Sequence, residues 1–389
     1  MGVLEHYSQW STNITALADL ALTEFRDNGL AGEKEGGVYP HVNLRKVHEL
    51  GLLHIAPKIE HGGKDGLLPG KNPDLFVNLL RLIARGDGAT GHCYQLHNHG
   101  LWSLELSASE EQVERFLKPL TSKYSIVAAV GSEPGRILQN DVRTTAKRVS
   151  GGWIVNGQKN YVTNGGNADL VIASVGIEGQ TDAISRNFHI LIDDSIDGIT
   201  WEDDWFRPAG MRNARSPLLT LSDTFIPDSH VLGKPGDFIR QRQFAVYHLA
   251  FAANYLGGAE GLFDWYLGYI RQRGRADNEL IQLRIGEIKV QLDSAAALFE
   301  RAVEEWRKGW TPDAELISLS AKTLAARTGI EVGKTVLYTA GSTAQFEQFP
   351  FSYYLRNIQQ HIVHVGHDVT AKTIGQAALG VKFDATRQR

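Results

Sequence analysis

From Ser125 to about Leu232 the chain alternates with period two and is rich in Val, Ile, Thr and Trp, with turn signals at Gly151–Gly152, Asn156–Gly157 and Asp197–Gly198. Side chains of a strand point alternately to its two faces, so such a pattern hides its apolar residues only as part of a sheet. On both sides of it the apolar spacing is helical. Helices are predicted over about 10–31, 42–50, 74–85, 90–106 and 109–117, the last opening on a Ser109–Gln112 capping box. Four long ones follow, over about 240–272, 278–307, 312–340 and 350–379, with breaks at Gly274, Thr311–Pro312 and Gly341. The pattern predicts an α+β multidomain chain: a helical domain over 1–122, a β-barrel or sandwich over 123–236 and an antiparallel four-helix bundle over 237–389.

Charge and hydropathy narrow the function classes. The 389 residues have a net charge of −4, so no basic field points to nucleic acid or an anionic membrane surface. No run approaches the roughly 18 apolar residues of a membrane span. The N-terminus MGVLEHYSQW lacks the charged and apolar regions of a secretory leader, and the lone Cys93 suits a reducing compartment. The expectation is a cytoplasmic protein.

Within the β region one stretch is richest in chemistry. Trp153–Ile154–Val155 leads into Asn156–Gly157, a strong hairpin signal, and a second strand is predicted to place Tyr161 and Thr163 on one face and Asn160 and Val162 on the other. A Thr163–Asn164–Gly165–Gly166–Asn167 corner follows, where Asn and Gly tolerate positive φ and expose backbone N–H groups. Lys159, Tyr161, Thr163, Asn164, Ala168 and Asp169 fall at the spacing of a signature of the acyl-CoA dehydrogenase superfamily, which this stretch resembles. Val130 to Gly135 is similar to part of that family's first signature, and Gly210–Met211–Arg212 through Gly233 to another of its segments. The resemblance spans nearly the whole chain. It implies a flavin held against this β segment, with Thr163 and neighbouring backbone at the reactive edge of the ring and Tyr161 packed against it. Ser132 and Asn164 are implied as further cofactor-binding residues. The motif Gly86–Asp87–Gly88–Ala89–Thr90–Gly91 also fits G-x-G-x-x-G, but it follows a helix rather than a strand and is not read as a dinucleotide site.

A dehydrogenase of this family requires a carboxylate base. Counting from Arg356–Asn357, one family position for it is Val365, and the other falls near Phe251; neither residue can accept a proton. Histidines stand there instead. Arg356–Asn357, His361 and His364, together with Gly91–His92 and His97, resemble the flavin-dependent monooxygenase branch, as does Asp203–Asp204–Trp205 with Gly210–Met211–Arg212. In that branch a reduced flavin from a separate NAD(P)H:flavin reductase binds O₂ as a C4a-hydroperoxide. The resemblance implies His97 and His364 as catalytic residues, and Trp205, Arg356 and Asn357 near the cofactor. An imidazole with a pKa near 6.5 suits proton handling there. His361, His364 and His367 with Asp368 are also a conceivable metal set along one helix, a weaker reading.

The family's adenosine-binding motifs are degraded here: Arg271–Gln272–Arg273–Gly274–Arg275 lacks its Phe–Gly, and Tyr338 and Ser342 replace Gln and Gly. Arg275 can still pair with one phosphate. FMN is therefore expected, with FAD as the alternative. The expected activity is a two-component monooxygenation of a small apolar or aromatic substrate by a homotetramer. N-hydroxylation of an amine or amino sugar is a close variant. The runner-up is an FAD-dependent acyl-CoA dehydrogenase or oxidase whose base is Glu260 or a histidine. A family member that has lost its flavin and serves as an assembly subunit is the non-enzymatic reading, against which the intact Lys159–Asp169 signature stands.

Overall fold

A computed structural model describes residues 7–67, 70–136, 140–364 and 366–386. The N-terminal helices are α1 (Ser11–Leu20), α2 (Arg26–Lys34), α3 (His41–Glu49), α4 (Leu75–Gly86), α5 (Gly88–Ser107), α6 (Glu110–Gln112) and α7 (Lys118–Thr121). One π-helical turn, Ala21–Phe25, joins α1 to α2. The G-x-G-x-x-G residues form the turn from α4 into α5. There the Asp87 carboxylate caps α5 by accepting from the Ala89 and Thr90 N–H groups, an interaction worth about 1 kcal/mol.

The β region is one eight-stranded sheet. Its strands are β1 (Val127–Val130), β2 (Thr145–Val149), β3 (Gly152–Lys159), β4 (Leu170–Ile177), β5 (Asn187–Ile192), β6 (Ile199–Glu202), β7 (Leu218–Pro227) and β8 (Val231–Leu232), with a single helical turn α8 (Ala183–Arg186) between β4 and β5. They run in the order β6-β7-β3-β2-β4-β5-β8, with β1 on β4. The pairs β1–β4 and β2–β4 are parallel and the rest antiparallel. Val155, Val162, Val171, Ala173, Ile190 and Leu219 pack together as its core.

The hairpin expected at Asn156–Gly157 does not form. β3 runs straight through it, while its partner β7 bulges at Asp223, whose φ is +47°. The Asn156 amide donates to Asp223 Oδ1 at 3.0 Å and accepts from the Asp223 N–H at 2.7 Å, so it fastens the bulge instead of turning the chain. Gly157 is needed because a Cβ there would sit 2.7 Å from Thr144. The segment after Lys159 is not a second strand either: Tyr161 and Asn164 both have positive φ, +54° and +72°.

After the sheet come α9 (Asp237–Arg240), α10 (Gln243–Gln272), α11 (Glu279–Arg307), α12 (Pro312–Thr339), α13 (Phe351–Ile362) and α14 (His367–Ala378). The first three long helices match the predicted ones closely. The last predicted helix is two, because the chain breaks between Ile362 and His367. Val365 lies outside the described residues. The central helix α10 packs against α4, α5, α11, α12 and α13, so residues buried along it bridge the N-terminal helices and the bundle. Among the described residues no helix is long and apolar enough to cross a membrane.

Candidate active site

The site is assembled from α5, the corner after β3, the loop before β7, α10 and α13. Tyr353 on α13 donates to Asp87 at the start of α5 at 2.5 Å, and Asn213 donates to the same hydroxyl at 3.3 Å. This lock sets α13 beside α5. The imidazoles of His361 and His364 then lie 4.8 and 5.1 Å from that of His92 between ring centroids. Phe251 of α10 completes the group, 5.1 Å from His364 and 6.0 Å from His361. His92 Nε2 lies 3.2 Å from Thr163 Oγ1, which is 3.0 Å from Ser216 Oγ. His92, Thr163, Ser216, Phe251, His361 and His364 line one cavity of about 320 Å³.

The two buried imidazoles of the group are neutral. Burial, reinforced by the neighbouring imidazoles, holds both His92 and His361 well below the usual histidine range. They are therefore uncharged hydrogen-bonding groups at neutral pH. His92 Nδ1 and His361 Nε2 are buried and have no partner among the described residues. His364 sits at the exposed rim. Asp237 is the carboxylate among the described lining residues, and it is held by the Lys234 N–H and Arg240, both at 2.7 Å.

The other sequence-predicted residues divide into three groups. Ser132, Tyr161 and Thr163 line the cavity. Tyr161 is 46% exposed despite its size, and Trp205 stands edge-on to it at 4.9 Å. Asn164 and Asn357 hold the walls. Asn164 accepts from Tyr39 at 2.8 Å and donates to the Cys93 and Val127 carbonyls, both at 3.0 Å. Asn357 accepts from the N–H of Met211, a cavity residue. Arg356 and Arg275 are not among the lining residues: Arg356 pairs with Glu33 at 3.3 Å, and Arg275 donates to the Thr339 carbonyl at 3.0 Å.

His97, expected in the pocket, is not among the cavity residues. It is wholly buried, its Nδ1 accepts from the Val127 N–H at 3.0 Å, and its Nε2 lies 3.0 Å from His54 Nδ1. Since His54 Nε2 donates to the Lys123 carbonyl, the His97 proton is on Nε2 and both rings are neutral. His92 takes the place assigned to His97. Five residues along a helix turn the chain by about 140°, so the two histidines face different sides of α5. Ser216 and Gln95 also escaped notice. Extending the stripe from His92 by three and four residues would have found Gln95; Ser216 gives no local signal.

Two alternatives lose their geometry. Glu260 is clamped by Arg81, with contacts of 2.5 and 3.0 Å, and does not line the cavity, so it is not placed to act as a base there. The metal set along one helix fails because His367 opens α14, beyond the break that follows His361 on α13.

Comparison with known proteins is consistent with this architecture. Residues 15–124 match the N-terminal, 129–224 the middle and 249–369 the C-terminal domain of acyl-CoA dehydrogenases. The chain belongs to the acyl-CoA dehydrogenase family. Within that family it is similar to flavin-dependent monooxygenases. It is 26% identical to dibenzothiophene monooxygenase of Rhodococcus erythropolis over 362 residues, covering 86% of this chain and 85% of the relative. It is also 26% identical to benzylmalonyl-CoA dehydrogenase of Aromatoleum aromaticum over 353 residues, or 87% and 90% of the two chains. The fold superposes on FMN- and indole-bound TdsC of Paenibacillus with a TM-score of 0.86 at 22% identity, covering 96% and 98% of the two chains. Butyryl-CoA dehydrogenase of Megasphaera elsdenii superposes with a TM-score of 0.85 at 19% identity, over 96% and 98%. The chain is thus a flavin-dependent oxidoreductase of this acyl-CoA dehydrogenase family.

Proposed function

We propose that this family member is a two-component monooxygenase that takes reduced FMN from a separate NAD(P)H:flavin reductase and oxygenates a small apolar or aromatic substrate with O₂. The observation that carries this reading is the cavity wall beside Thr163. Where a dehydrogenase presents a carboxylate, this chain presents His92, Phe251, His361 and His364, and the lining Asp237 is committed to Arg240. Such a wall offers no uncommitted carboxylate for proton abstraction from carbon, and its imidazoles can donate hydrogen bonds to oxygen.

The residues present fit a flavin. Tyr161 and Trp205 expose flat aromatic surface at the corner, and Thr163 Oγ1 with the nearby backbone offers hydrogen bonds to a ring edge. The strained positive φ of Tyr161 places its ring there, and strain of this kind is commonly retained for function. When bound, reduced FMN supplies the two electrons that let O₂ place one atom in the substrate and release the other as water. The chain's own part is to orient: Thr163, His92 and Ser216 form a continuous hydrogen-bonded row, and His361 keeps Nε2 free for a polar group in the cavity. His364 at the rim is placed to exchange protons with solvent. FMN is favoured over FAD because the adenosine motifs are degraded. A homotetramer in the cytoplasm completes the proposal.

The test is stopped-flow absorbance of photoreduced FMN mixed with O₂, with and without the protein and without substrate. Oxidised flavin should return more slowly with the protein present than in free solution. Oxidation at the free-flavin rate, combined with reduction of bound FAD by an acyl-CoA, would replace this reading with the dehydrogenase.

A further inference from the structure

One face of α5 forms a long wall of the cavity through His92, Gln95, Leu96, Ser103 and Ser107. Gln95 is the anomaly on it. Its side chain is wholly buried, yet neither Nε2 nor Oε1 has a partner among the described residues. Ser103 is not so placed, since it donates to Gln243 at 2.7 Å. Apolar surface is supplied by Ala129, Phe244, Tyr247 and Phe251. The Tyr247 ring is backed by His99 stacked at 3.8 Å, which helps hold it flat. Each unmade bond of a buried amide costs roughly 1–3 kcal/mol, so a donor and an acceptor left open side by side mark a place where a ligand supplies both.

We propose that Gln95 reads the substrate, and that the substrate is a flat, largely apolar fused-ring molecule with a lactam-type edge, an N–H beside a C=O, that pairs with the Gln95 amide through two hydrogen bonds. Gln95 is three residues, about 4.5 Å of helical rise, from His92. Resting on the monooxygenase reading for where the chemistry happens, this sets the oxygenated atom within about one ring of the lactam edge. A molecule with no hydrogen-bonding edge fits the same aromatic walls but leaves Gln95 unpaired.

The test is isothermal titration of the full-length protein, with and without oxidised FMN, using quinolinone, quinoline and naphthalene as probes of nearly equal shape. Quinolinone should bind at least about tenfold more tightly than naphthalene, with quinoline between them, as two net hydrogen bonds imply. The variant Gln95→Met should abolish the preference and leave naphthalene binding equal or tighter. Equal affinities in the wild type, no binding of any of the three bicycles, or a preference that survives Gln95→Met would each overturn the proposal. The wild-type comparison stands even if the variant does not fold. A lactam preference in protein that neither binds FMN nor slows its oxidation would uphold the role of Gln95 and overturn the monooxygenase reading alone.

Discussion

Lys159→Met tests whether the family signature works through structure as well as through contact with a cofactor. Lys159 Nζ lies 2.5 Å from Glu133 Oε1, and the two side chains are 0% and 1% exposed. Burial pulls the lysine down to about 8, which leaves it charged at neutral pH. Burial alone would raise Glu133, but Lys159, the Thr144 hydroxyl and the Arg143 N–H together hold it below the usual carboxylate range. Removing one partner of a buried pair costs about 3–5 kcal/mol, because the other charge remains without compensation. Glu133 would keep three donors, the Arg143 N–H at 2.6 Å and the Thr144 N–H and Oγ1 at 2.9 and 2.6 Å, which places the expected loss near the lower end, about 3 kcal/mol. Adding Glu133→Gln removes the stranded charge and should restore about half of that loss. Flavin binding should weaken together with stability, because the Asn160 N–H bonds the carbonyl of Ser132 next to Glu133, and Tyr161 follows. Urea unfolding followed by tryptophan fluorescence gives the first quantity and FMN titration the second. A single variant within 1 kcal/mol of wild type, or a double variant no better than the single, would refute the argument from a buried charge.

Three further outcomes follow from the same geometry. Thr163→Val removes the hydrogen-bond partner of both His92 and Ser216, so the FMN dissociation constant should rise about tenfold in a fluorescence titration; an unchanged constant would contradict the orienting row. His97→Phe should cost about 2–3 kcal/mol in urea unfolding through the lost Val127 and His54 bonds while leaving FMN affinity intact, whereas His364→Ala, at the exposed rim, should change stability by about 0.5 kcal/mol or less yet reduce coupled oxygenation at least about tenfold. Lys322 is buried against His248 Nδ1 at 3.2 Å and Thr370 Oγ1 at 3.0 Å, and burial pushes it down to about 7 from an ordinary 10.5. Between those values the unfolded chain holds a proton that the folded chain releases, so stability should rise with pH across that window. The shift sets an upper limit of about 5 kcal/mol. Lys322→Met should flatten most of the rise and, after two lost hydrogen bonds, gain about 2 kcal/mol at pH 7 in denaturation measured across that pH range; a wild type with no rise would refute it.

The parts legible in the sequence are those decided by short-range periodicity. Helical, β and helical blocks follow from the spacing of apolar residues, and α10, α11 and α12 begin and end near their predicted limits because Gly274 and Thr311–Pro312 punctuate them. Asn156–Gly157 shows where a local signal loses. Its turn preference is overridden by a strand 67 residues away, whose Asp223 takes both ends of the Asn156 amide. Lys159 and Glu133 were visible as members of motifs, but their pairing depends on sheet register across 26 residues, which no spacing rule supplies.

The histidines carry the sharper lesson, because motif and helix phase disagree. The motif names His92 and His97 together, and only the 3.6-residue turn of α5 separates them, one toward Thr163 and the other toward the backbone of β1. The same phase selects Gln95 and Leu96 with His92 and sets the polarity of the wall a substrate meets. His361 on α13 and His364 in the turn after it add a second constraint, fixed by the bond of Tyr353 to the cap of α5. A chain without the family carboxylate brings together one imidazole from α5, one from α13 and one from the turn after α13, and which histidines reach the cavity rests on helix phase as much as on residue identity.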